Sequence, residues 1–472
     1  MNICLVNPPL FKNALYEEWD LSAVDSVSPP LGILLLAGIL REKGHSVSVV
    51  DAYARVLSAS DAAKEVLFQR PDVVGLTAMT PSIYGAAEVA RLLKLDRPEL
   101  KVVVGGAHLS AVPQETFKLF PHFDIGVIGE GDDTIVELLG AFPFDDEKLS
   151  SINGIIFRKN GGLTMTTPRQ PLADMDALPL PAWDLLPSLN GRYRMSIVGT
   201  TSDRSTAIIT SRGCPGACTF CDTTVFGKKF RGYSAEYVVR MIEHLMSKYG
   251  IEDLLIYDDN FVTGRERLKE VCRLFISRKL KISWSCCARV NMVNPEVLKL
   301  MKDAGCWQVE YGIESGSPKI LEIMNKHISL EQVRQALRWT KEAGIMTRGN
   351  FIFGYLGETK ETLKETLDFL LDAELDYFQQ TFLTPYPGSE VYQTAAQYGK
   401  VDLDWQKMSN MSINFIPEGL SEKELVNFSK LAFRKFYLRP RIAWEHLSRI
   451  HSARSALRYL TAFFAFLKTA FR

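Results

Sequence analysis

Three cysteines that lie close together in the middle of the chain are the residues best suited to chemistry. Cys214, Cys218 and Cys221 are separated by three and then by two residues, and the apolar run 207–210 precedes them. That run has strand character, so the cysteines fall on the loop that leaves a buried strand. The glycines and the proline of the loop favour a curled, irregular backbone. Such a loop can direct three thiolates at one centre.

Thiolate ligands at this spacing favour a small set of metal centres. Soft thiolates select iron–sulfur clusters, zinc or Cu(I), and closed zinc or cluster sites more often have four protein ligands. The next histidine, His244, lies within a helical pattern and does not complete a zinc site. A disulfide framework is not expected in a long chain without a secretory signal. The cysteines therefore predict an iron–sulfur cluster with one metal position left open.

The motif Cys-x-x-x-Cys-x-x-Cys, placed after a strand and with Phe220 before its last cysteine, resembles the signature of the radical S-adenosylmethionine enzymes. The resemblance implies that Cys214, Cys218 and Cys221 bind a [4Fe-4S] cluster. It also implies that the amino and carboxylate groups of S-adenosylmethionine chelate the fourth iron, with Phe220 as a candidate cofactor contact. The motif is specific for the superfamily and does not specify one reaction.

Length and composition bound the class of protein. The 472 residues suffice for two or three domains, and 46% hydrophobic and 23% charged residues are ordinary globular values. A formal net charge of zero argues against a general nucleic-acid binder. No apolar run is long enough to span a bilayer. The eight cysteines are not laid out in pairs, which predicts a reducing, cytoplasmic location.

Residues 1–145 alternate short apolar runs with helical patterns, which predicts a doubly wound, Rossmann-like parallel sheet. Ligands of such sheets bind beyond the carboxyl ends of the strands. No Gly-x-Gly-x-x-Gly follows the first strand, so a nicotinamide or flavin site is disfavoured. Small hydroxyls and glycines gather at the strand ends instead. The candidate ligand-binding residues there are Thr77, Thr80, Gly105, Gly106, Gly129 and Glu130.

This first segment resembles the cobalamin-binding domain that precedes one large branch of radical S-adenosylmethionine enzymes. The resemblance implies that the six residues just named bind cobalamin. Many such domains carry Asp-x-His-x-x-Gly after the first strand, and its histidine is the lower cobalt ligand. Here that loop reads Asn7-Pro8-Pro9, so cobalamin without this ligand is implied. A Rossmann-like relic that binds nothing is the alternative, and His108 is interpreted as a structural hydrogen-bonding residue.

The remaining chain divides into three predicted segments. Residues 146–200 read as a β-hairpin followed by an extended linker. Residues 201–400 hold six strand–helix repeats, which predict a partial (β/α)6 barrel with functional residues at the carboxyl ends of its strands. Residues 401–472 predict helices. A cap that packs on the barrel or on a partner subunit is favoured over an amphipathic helix on a membrane surface near a lipid substrate.

Polar residues at the barrel strand ends suit the groups of S-adenosylmethionine. Its carboxylate needs a cation, and its amino group and ribose hydroxyls need acceptors. Similar strand-end motifs occur in the resembled family, among them Gly-x-Glu-Ser-Gly at 312–316. For each charged residue a structural ion pair at the barrel rim is the alternative. The candidates are Arg289 and Arg348 for the carboxylate, Glu314 and Ser315 for the acceptors, and Asp258 with Asp259 for the amino group or the substrate.

The resemblance implies an enzyme that cleaves S-adenosylmethionine to a 5′-deoxyadenosyl radical, removes hydrogen from an unactivated carbon and transfers a methyl group from methylcobalamin. Oxidative cyclisation or another rearrangement, similar to the anaerobic tetrapyrrole cyclase, is the alternative. A non-catalytic sensor of cobalamin and the cluster is an alternative of another class. The expected partners are a small-molecule, lipid or tetrapyrrole-like substrate and an electron donor such as flavodoxin or ferredoxin, with no nucleic acid.

Overall fold

Two α/β units follow one another in the structure, which is a computed structural model. It describes residues 1–10, 27–189, 193, 195 and 199–442. The predicted helix beyond residue 442, with its membrane-surface alternative, lies outside the described residues. Among the described residues, no helix combines the length and the apolar content needed to cross a bilayer.

The first unit is the predicted doubly wound parallel sheet. Its strands lie in the order β2-β1-β3-β4-β5 and are all parallel: β1 (Asn2–Asn7), β2 (Ser46–Asp51), β3 (Val73–Thr77), β4 (Lys101–Gly105) and β5 (Ile125–Val127). Its helices are α1 (Leu31–Glu42), α2 (Ala59–Phe68), α3 (Ile83–Asp96), α4 (Ala107–Ala111), α5 (Pro113–Leu119), α6 (Asp132–Gly140) and α7 (Asp146–Ser151). Strand β1 is buried on both faces, because Cys4 and Val6 join one apolar cluster while Ile3 and Leu5 join another. Continuous apolar strands of this kind are typical of parallel sheets.

A β-hairpin extends this sheet. Strands β6 (Ile155–Lys159) and β7 (Gly162–Met165) pair antiparallel, and β6 pairs antiparallel with β5. Asn160 and Gly161 both have positive φ, 50° and 77°, as a two-residue hairpin turn of type I′ requires. The hairpin predicted for the connecting segment thus continues the first sheet beyond the predicted boundary at residue 145.

The second unit is the predicted partial barrel. Its six strands are parallel and lie in chain order: β8 (Ser205–Ile208), β11 (Asp253–Ile256), β12 (Ser283–Ala288), β13 (Cys306–Glu314), β14 (Met346–Phe353) and β15 (Tyr377–Phe382). Between β8 and β11 the chain forms a short antiparallel pair, β9 (Ser211–Arg212) and β10 (Arg231–Gly232). Its helices are α8 (Ala235–Tyr249), α9 (Arg265–Ser277), α10 (Pro295–Asp303), α11 (Pro318–Ile323), α12 (Leu330–Glu342), α13 (Lys360–Asp372) and α14 (Glu390–Thr394). Strands β16 (Gly399–Val401) and β17 (Phe415–Pro417) and helix α15 (Glu422–Tyr437) follow. Helix α15 packs on the barrel, since the Tyr437 hydroxyl donates to the carbonyl of Phe378 at 2.8 Å.

Side-chain hydrogen bonds at the helix ends explain where the barrel helices begin. The Ser234 side chain accepts from the amide of Tyr237 at the start of α8, and Gly250 ends that helix with φ 65°. Thr359 and Thr362 form a reciprocal capping box at the start of α13. Thr359 is thus the N-cap residue of α13.

The two units meet through a buried group of ion pairs. Arg212, in β9, donates to both carboxylate oxygens of Asp132 at 2.6 and 3.0 Å, and Arg231 donates to both oxygens of Glu130. Each of these four side chains is at most 8% exposed. Asp132 begins α6 at the carboxyl edge of the first sheet, and Arg212 directly precedes the cysteine loop. The ion pairs therefore fix that sheet edge against the mouth of the barrel.

Replacing Asp132 by Asn should destabilise the protein by about 3 kcal/mol, because it leaves the buried Arg212 guanidinium without its main counter-charge. The free energy of unfolding in urea measures the effect. Asp184→Asn is the matched control, since the exposed pair of Asp184 with Arg41 should contribute less than about 1 kcal/mol. Equal losses in the two variants would contradict the assignment.

Candidate active site

Two aspartates hold the start of the cysteine loop. The Asp258 carboxylate accepts from the amide and hydroxyl of Thr210 at 2.5 and 2.6 Å and from the hydroxyl of Ser211 at 2.5 Å. Asp259 accepts from the amide of Gly213 at 3.0 Å. Burial raises the pKa of Asp258. Asp258 was predicted to bind the cofactor amino group or the substrate. In the structure, its carboxylate instead accepts hydrogen bonds from the start of the cysteine loop.

The three cysteines lie on this loop at the barrel mouth. Cys214 and Cys218 are half-buried, and Cys221 is exposed. A hydrogen bond with Cys221, together with the charges of Lys326 and Arg289, lowers the pKa of Cys218 to about 5. The amide of Gly216 also donates to Cys214 Sγ at 3.4 Å. The two cations thus favour the thiolate form at Cys218, whereas the hydrogen bond with Cys218 raises the pKa of Cys221.

The donor set fits an iron–sulfur cluster. Within the described part of the chain, no three Cys, His, Asp or Glu side chains converge as ligands of one metal ion. The thiolates around a cluster bind different irons, so such a centre does not require three ligands of one ion. Soft thiolates beside two cations suit a centre that is both soft and negatively charged.

Arg289 reaches the cysteines, as its predicted role requires. It follows β12, and its Nη1 donates to Cys218 Sγ at 3.4 Å while its Nη2 donates to the carbonyl of Lys326. Its backbone amide donates to Asn260 Oδ1 at 3.3 Å. The guanidinium is therefore held at the edge of the thiolate site.

Glu314 forms a buried ion pair at the same mouth. It ends β13 with φ 69°, and its Oε1 accepts from Lys326 Nζ at 2.6 Å. The two side chains are 9% and 7% exposed. Lys326 Nζ also lies 5.6 Å from the ring centroid of Phe220, inside the cysteine loop. The sequence did not reveal Lys326, because a single lysine after the short helix α11 has no distinguishing pattern.

Two further candidates lie away from the cysteines. Ser315 is fully buried, and its hydroxyl shares a hydrogen bond with Thr366 at 3.1 Å. Arg348 donates to Glu310 Oε1 at 3.1 Å and to Gln379 Oε1 inside the barrel. The structure does not bring these two residues to the thiolate site.

A glutamate orders the turn that packs against the cysteine loop. The Tyr355 and Thr219 hydroxyls lie 2.6 Å apart, and the Tyr355 ring packs edge-on against Phe220. Glu358 Oε2 accepts from the amides of Gly354 and Tyr355 at 2.6 and 3.0 Å. Burial raises the pKa of Glu358 to about 7.

The candidate residues of the first unit lie at its carboxyl edge. A Cβ on Gly106, whose φ is 107°, would meet the Ala78 carbonyl oxygen at 2.6 Å, so two strand-end loops approach closely. A Cβ on Gly129 would meet no atom within 4 Å. Thr80 Oγ1 lies 3.1 Å from His108 Nδ1. Burial lowers the pKa of His108 to about 4, which keeps it neutral.

These strand ends fit a large, flat cofactor. Thr77 and Gly105 are the paired last residues of β3 and β4, and glycines there let a ligand approach the backbone. Glu130 differs, because its carboxylate accepts hydrogen bonds from the Arg231 guanidinium and, at 2.9 Å, from the amide of Leu172. The described contacts of that candidate thus belong to the ion-pair group between the two units.

Comparison with known families matches both units. A model of the radical SAM superfamily matches residues 208–370, and a model of the B12 binding domain matches residues 20–139. An uncharacterised methyltransferase of Pyrococcus horikoshii is 34% identical over 96% of this chain and 95% of its own length. The chain belongs to the cobalamin-binding radical S-adenosylmethionine family. The predicted cofactors, a [4Fe-4S] cluster, S-adenosylmethionine and cobalamin, are those of this family.

A further sequence relative and two solved structures are similar to this chain. The anaerobic magnesium-protoporphyrin IX monomethyl ester cyclase of Rubrivivax gelatinosus is 29% identical over 87% of this chain and 74% of its own length. OxsB, solved with aqua-cobalamin and S-adenosylmethionine bound, has a TM-score of 0.75 at 18% identity over 99% of this chain and 71% of its own. The methyltransferase TsrM of Kitasatospora setae has a TM-score of 0.66 at 20% identity over 84% of this chain and 74% of its own. The two-unit architecture is thus confirmed.

Glu358 should make the stability of this radical S-adenosylmethionine protein depend on pH. Its folded pKa of about 7 lies above its ordinary value of 4.5, so the folded state retains a proton that the unfolded state loses. This stabilising contribution is complete below pH 4.5 and is lost as pH rises through 7, a change of roughly 3 kcal/mol.

Urea unfolding of Glu358→Gln from pH 5 to 8 tests this expectation. The variant cannot ionise at this position and should show a flatter decline than the unsubstituted protein. Glu361→Gln, at an exposed position in the first turn of α13, serves as the control and should keep the full decline. Parallel curves for all three proteins would show that Glu358 does not titrate in this range.

Proposed function

We propose that this protein is a cobalamin-dependent radical S-adenosylmethionine enzyme that methylates an unactivated carbon of a small molecule. The observation that supports this most is the contact between the barrel mouth and the carboxyl edge of the first sheet. The cysteine loop lies at the barrel mouth, and the Arg212–Asp132 pair holds the carboxyl edge of the cobalamin-type sheet against it. When bound, the cluster with S-adenosylmethionine supplies a carbon-centred radical, and cobalamin supplies a methyl group.

Glu314, Lys326 and Arg289 suit the methionyl end of S-adenosylmethionine. That end is a zwitterion, and the site offers an anion and two cations beside the cysteines. We assign the amino group to Glu314 and the carboxylate to Lys326 and Arg289, because charge-assisted hydrogen bonds are the stronger kind. Phe220 and the ion pair then border the same cofactor.

Thr77, Thr80, Gly105, Gly106 and Gly129 are the residues we assign to cobalamin. The open space at Gly129 and the close approach of loops at Gly106 suit a flat ligand lying on backbone. No histidine in the loop after β1 is available as a lower cobalt ligand. His108 keeps its interpretation as a structural residue, since its Nδ1 lies 3.1 Å from Thr80 Oγ1 and its ring packs edge-on against Trp405 at 4.4 Å.

Oxidative cyclisation is the second candidate, because the magnesium-protoporphyrin ester cyclase of Rubrivivax gelatinosus is similar over 87% of this chain. The fate of the methyl group separates the two reactions. A methyltransferase places the labelled methyl of S-adenosylmethionine in its product, whereas a cyclase does not. The electron donor, flavodoxin or ferredoxin, stays a prediction.

Reduced, cluster-loaded protein should convert S-adenosylmethionine to 5′-deoxyadenosine, and Ala at Cys214, Cys218 or Cys221 should abolish this by removing cluster ligands. Visible absorbance, iron content and chromatography of the nucleoside measure it. Cys272→Ala is the matched control, because Cys272 lies buried in helix α9 among apolar residues.

The outcomes of that experiment are distinct. If the cysteine variants retain full iron, the ligand assignment fails. Cleavage absent from the unsubstituted protein would favour the non-catalytic sensor. Failure of the protein to retain hydroxocobalamin through gel filtration would overturn the cobalamin half of the proposal.

Lys326→Met should weaken S-adenosylmethionine binding by roughly 10-fold or more, since a hydrogen bond to a charged group contributes about 1.5–3 kcal/mol. Equilibrium binding to the cluster-loaded protein gives the dissociation constant, and iron content verifies that the cluster is retained. Lys319→Met on the exposed side of α11 should leave the affinity unchanged. Equal affinities in both variants would remove Lys326 from the site.

A further inference from the structure

A layer of polar side chains lies inside the barrel, below the residues assigned to the cofactors. In the strand register, Cys287 of β12 pairs with Glu310 of β13, and Glu310 pairs with Arg348 of β14. Arg348 donates to Glu310 Oε1 at 3.1 Å and to Gln379 of β15. Four adjacent strands thus contribute to one layer, and the assignments proposed for the cluster, S-adenosylmethionine and cobalamin leave this layer without a role.

The inward side of this layer borders open space. Along β14, partly exposed and buried residues alternate without exception. Phe351 and Phe353 are buried in the apolar cluster that includes the helices, whereas Arg348 and Asn350 lie on the partly exposed side. Because this side faces the barrel interior, the exposure of the Arg348 side chain, 14%, indicates room beside it.

The layer also offers hydrogen-bonding groups that the protein leaves unused. Among the described residues, Asn350 Oδ1 is buried without a partner. An unsatisfied buried acceptor of this kind costs about 1–3 kcal/mol. The guanidinium of Arg348 has more N–H donors than its two contacts use, and the Gln379 contact engages only Oε1. Unused donors and an unpartnered acceptor therefore lie together on the partly exposed side of β14.

We propose that Glu310, Arg348, Asn350 and Gln379 bind the polar end of the substrate, and that this end is a carboxylate next to an ammonium or hydroxyl group, as in an α-amino or α-hydroxy acid. Arg348 and the Gln379 amide donate to the carboxylate. Glu310 and Asn350 Oδ1 accept from the neighbouring group. The inference rests on the proposed function and names the substrate class of that site.

The depth of the layer agrees with this assignment. Arg289, which touches Cys218, lies two residues beyond Cys287, so the layer is about 7 Å below the cofactor-facing end of the strand. A substrate anchored there directs its carbon chain towards the mouth.

The test uses full-length protein loaded with cluster, S-adenosylmethionine and hydroxocobalamin. The probes are the twenty standard L-amino acids, their α-hydroxy acid analogues and the corresponding decarboxylated amines. We expect at least one acid to raise the melting temperature by about 2 °C or more and to increase 5′-deoxyadenosine formation several-fold, with no effect of its amine. Arg348→Met should weaken that binding at least 10-fold, and Arg334→Met, which removes an exposed ion pair on α12, should not.

A second variant guards against misfolding, because Arg348→Met leaves Glu310 without its counter-charge. Asn350→Leu removes the unpartnered acceptor without touching the ion pair and should also weaken binding at least 10-fold. The inference is overturned if no acid binds, if an amine binds equally well, or if both variants keep the affinity. Formation of 5′-deoxyadenosine without any added probe tests the proposed function separately. If it persists while the acids fail, only the substrate inference falls.

Discussion

The buried ion pairs between the two units are the constraint on which the rest of the site depends. Arg212 lies two residues before Cys214, and Asp132 begins the helix that follows β5. Removing two charges from water is costly, and only near-ideal geometry offsets that cost. The bidentate contact of Arg212 with Asp132 has that geometry. This ion pair sets the orientation of the first sheet relative to the barrel, because its hydrogen bonds are directional and an apolar contact is not.

Charged side chains at the barrel mouth are likewise held by partners. Arg289 and Lys326 lie beside the cysteines, and each is tied to a fixed acceptor, so neither can turn away. Cations held in place require little reorganisation when a negatively charged centre is bound, and their effect is larger where water is excluded. Glu314 completes the arrangement because it keeps Lys326 at a buried position that an isolated ammonium would avoid.

The fold could be predicted from local patterns in the sequence, whereas the partners of the site residues depend on tertiary packing. The six parallel strands and the cysteine loop after the first of them were predictable, because apolar periodicity and strand-end polarity are properties of short segments. Which partner a long side chain reaches is not such a property. Glu130 and Asp258 were predicted to bind a cofactor or the substrate, yet the carboxylate of each accepts hydrogen bonds from other residues of the protein. Lys326 was missed for the same reason, since only folding brings it to Glu314.

The layered barrel also separates two tasks that one set of residues could not perform together. Cofactor groups at the mouth must be charged and rigid, because they position reactive species. The layer of Glu310, Arg348, Asn350 and Gln379 lies deeper and carries a balanced pair of charges, so it can discriminate among substrates without altering the electrostatics of the cluster. The Arg212–Asp132 pair holds the carboxyl edge of the first sheet beside the cysteine loop. On the assignments proposed above, the reacting carbon of the substrate lies between Arg289 and the sheet edge that includes Gly106, and the polar layer selects the molecules that place a carbon there.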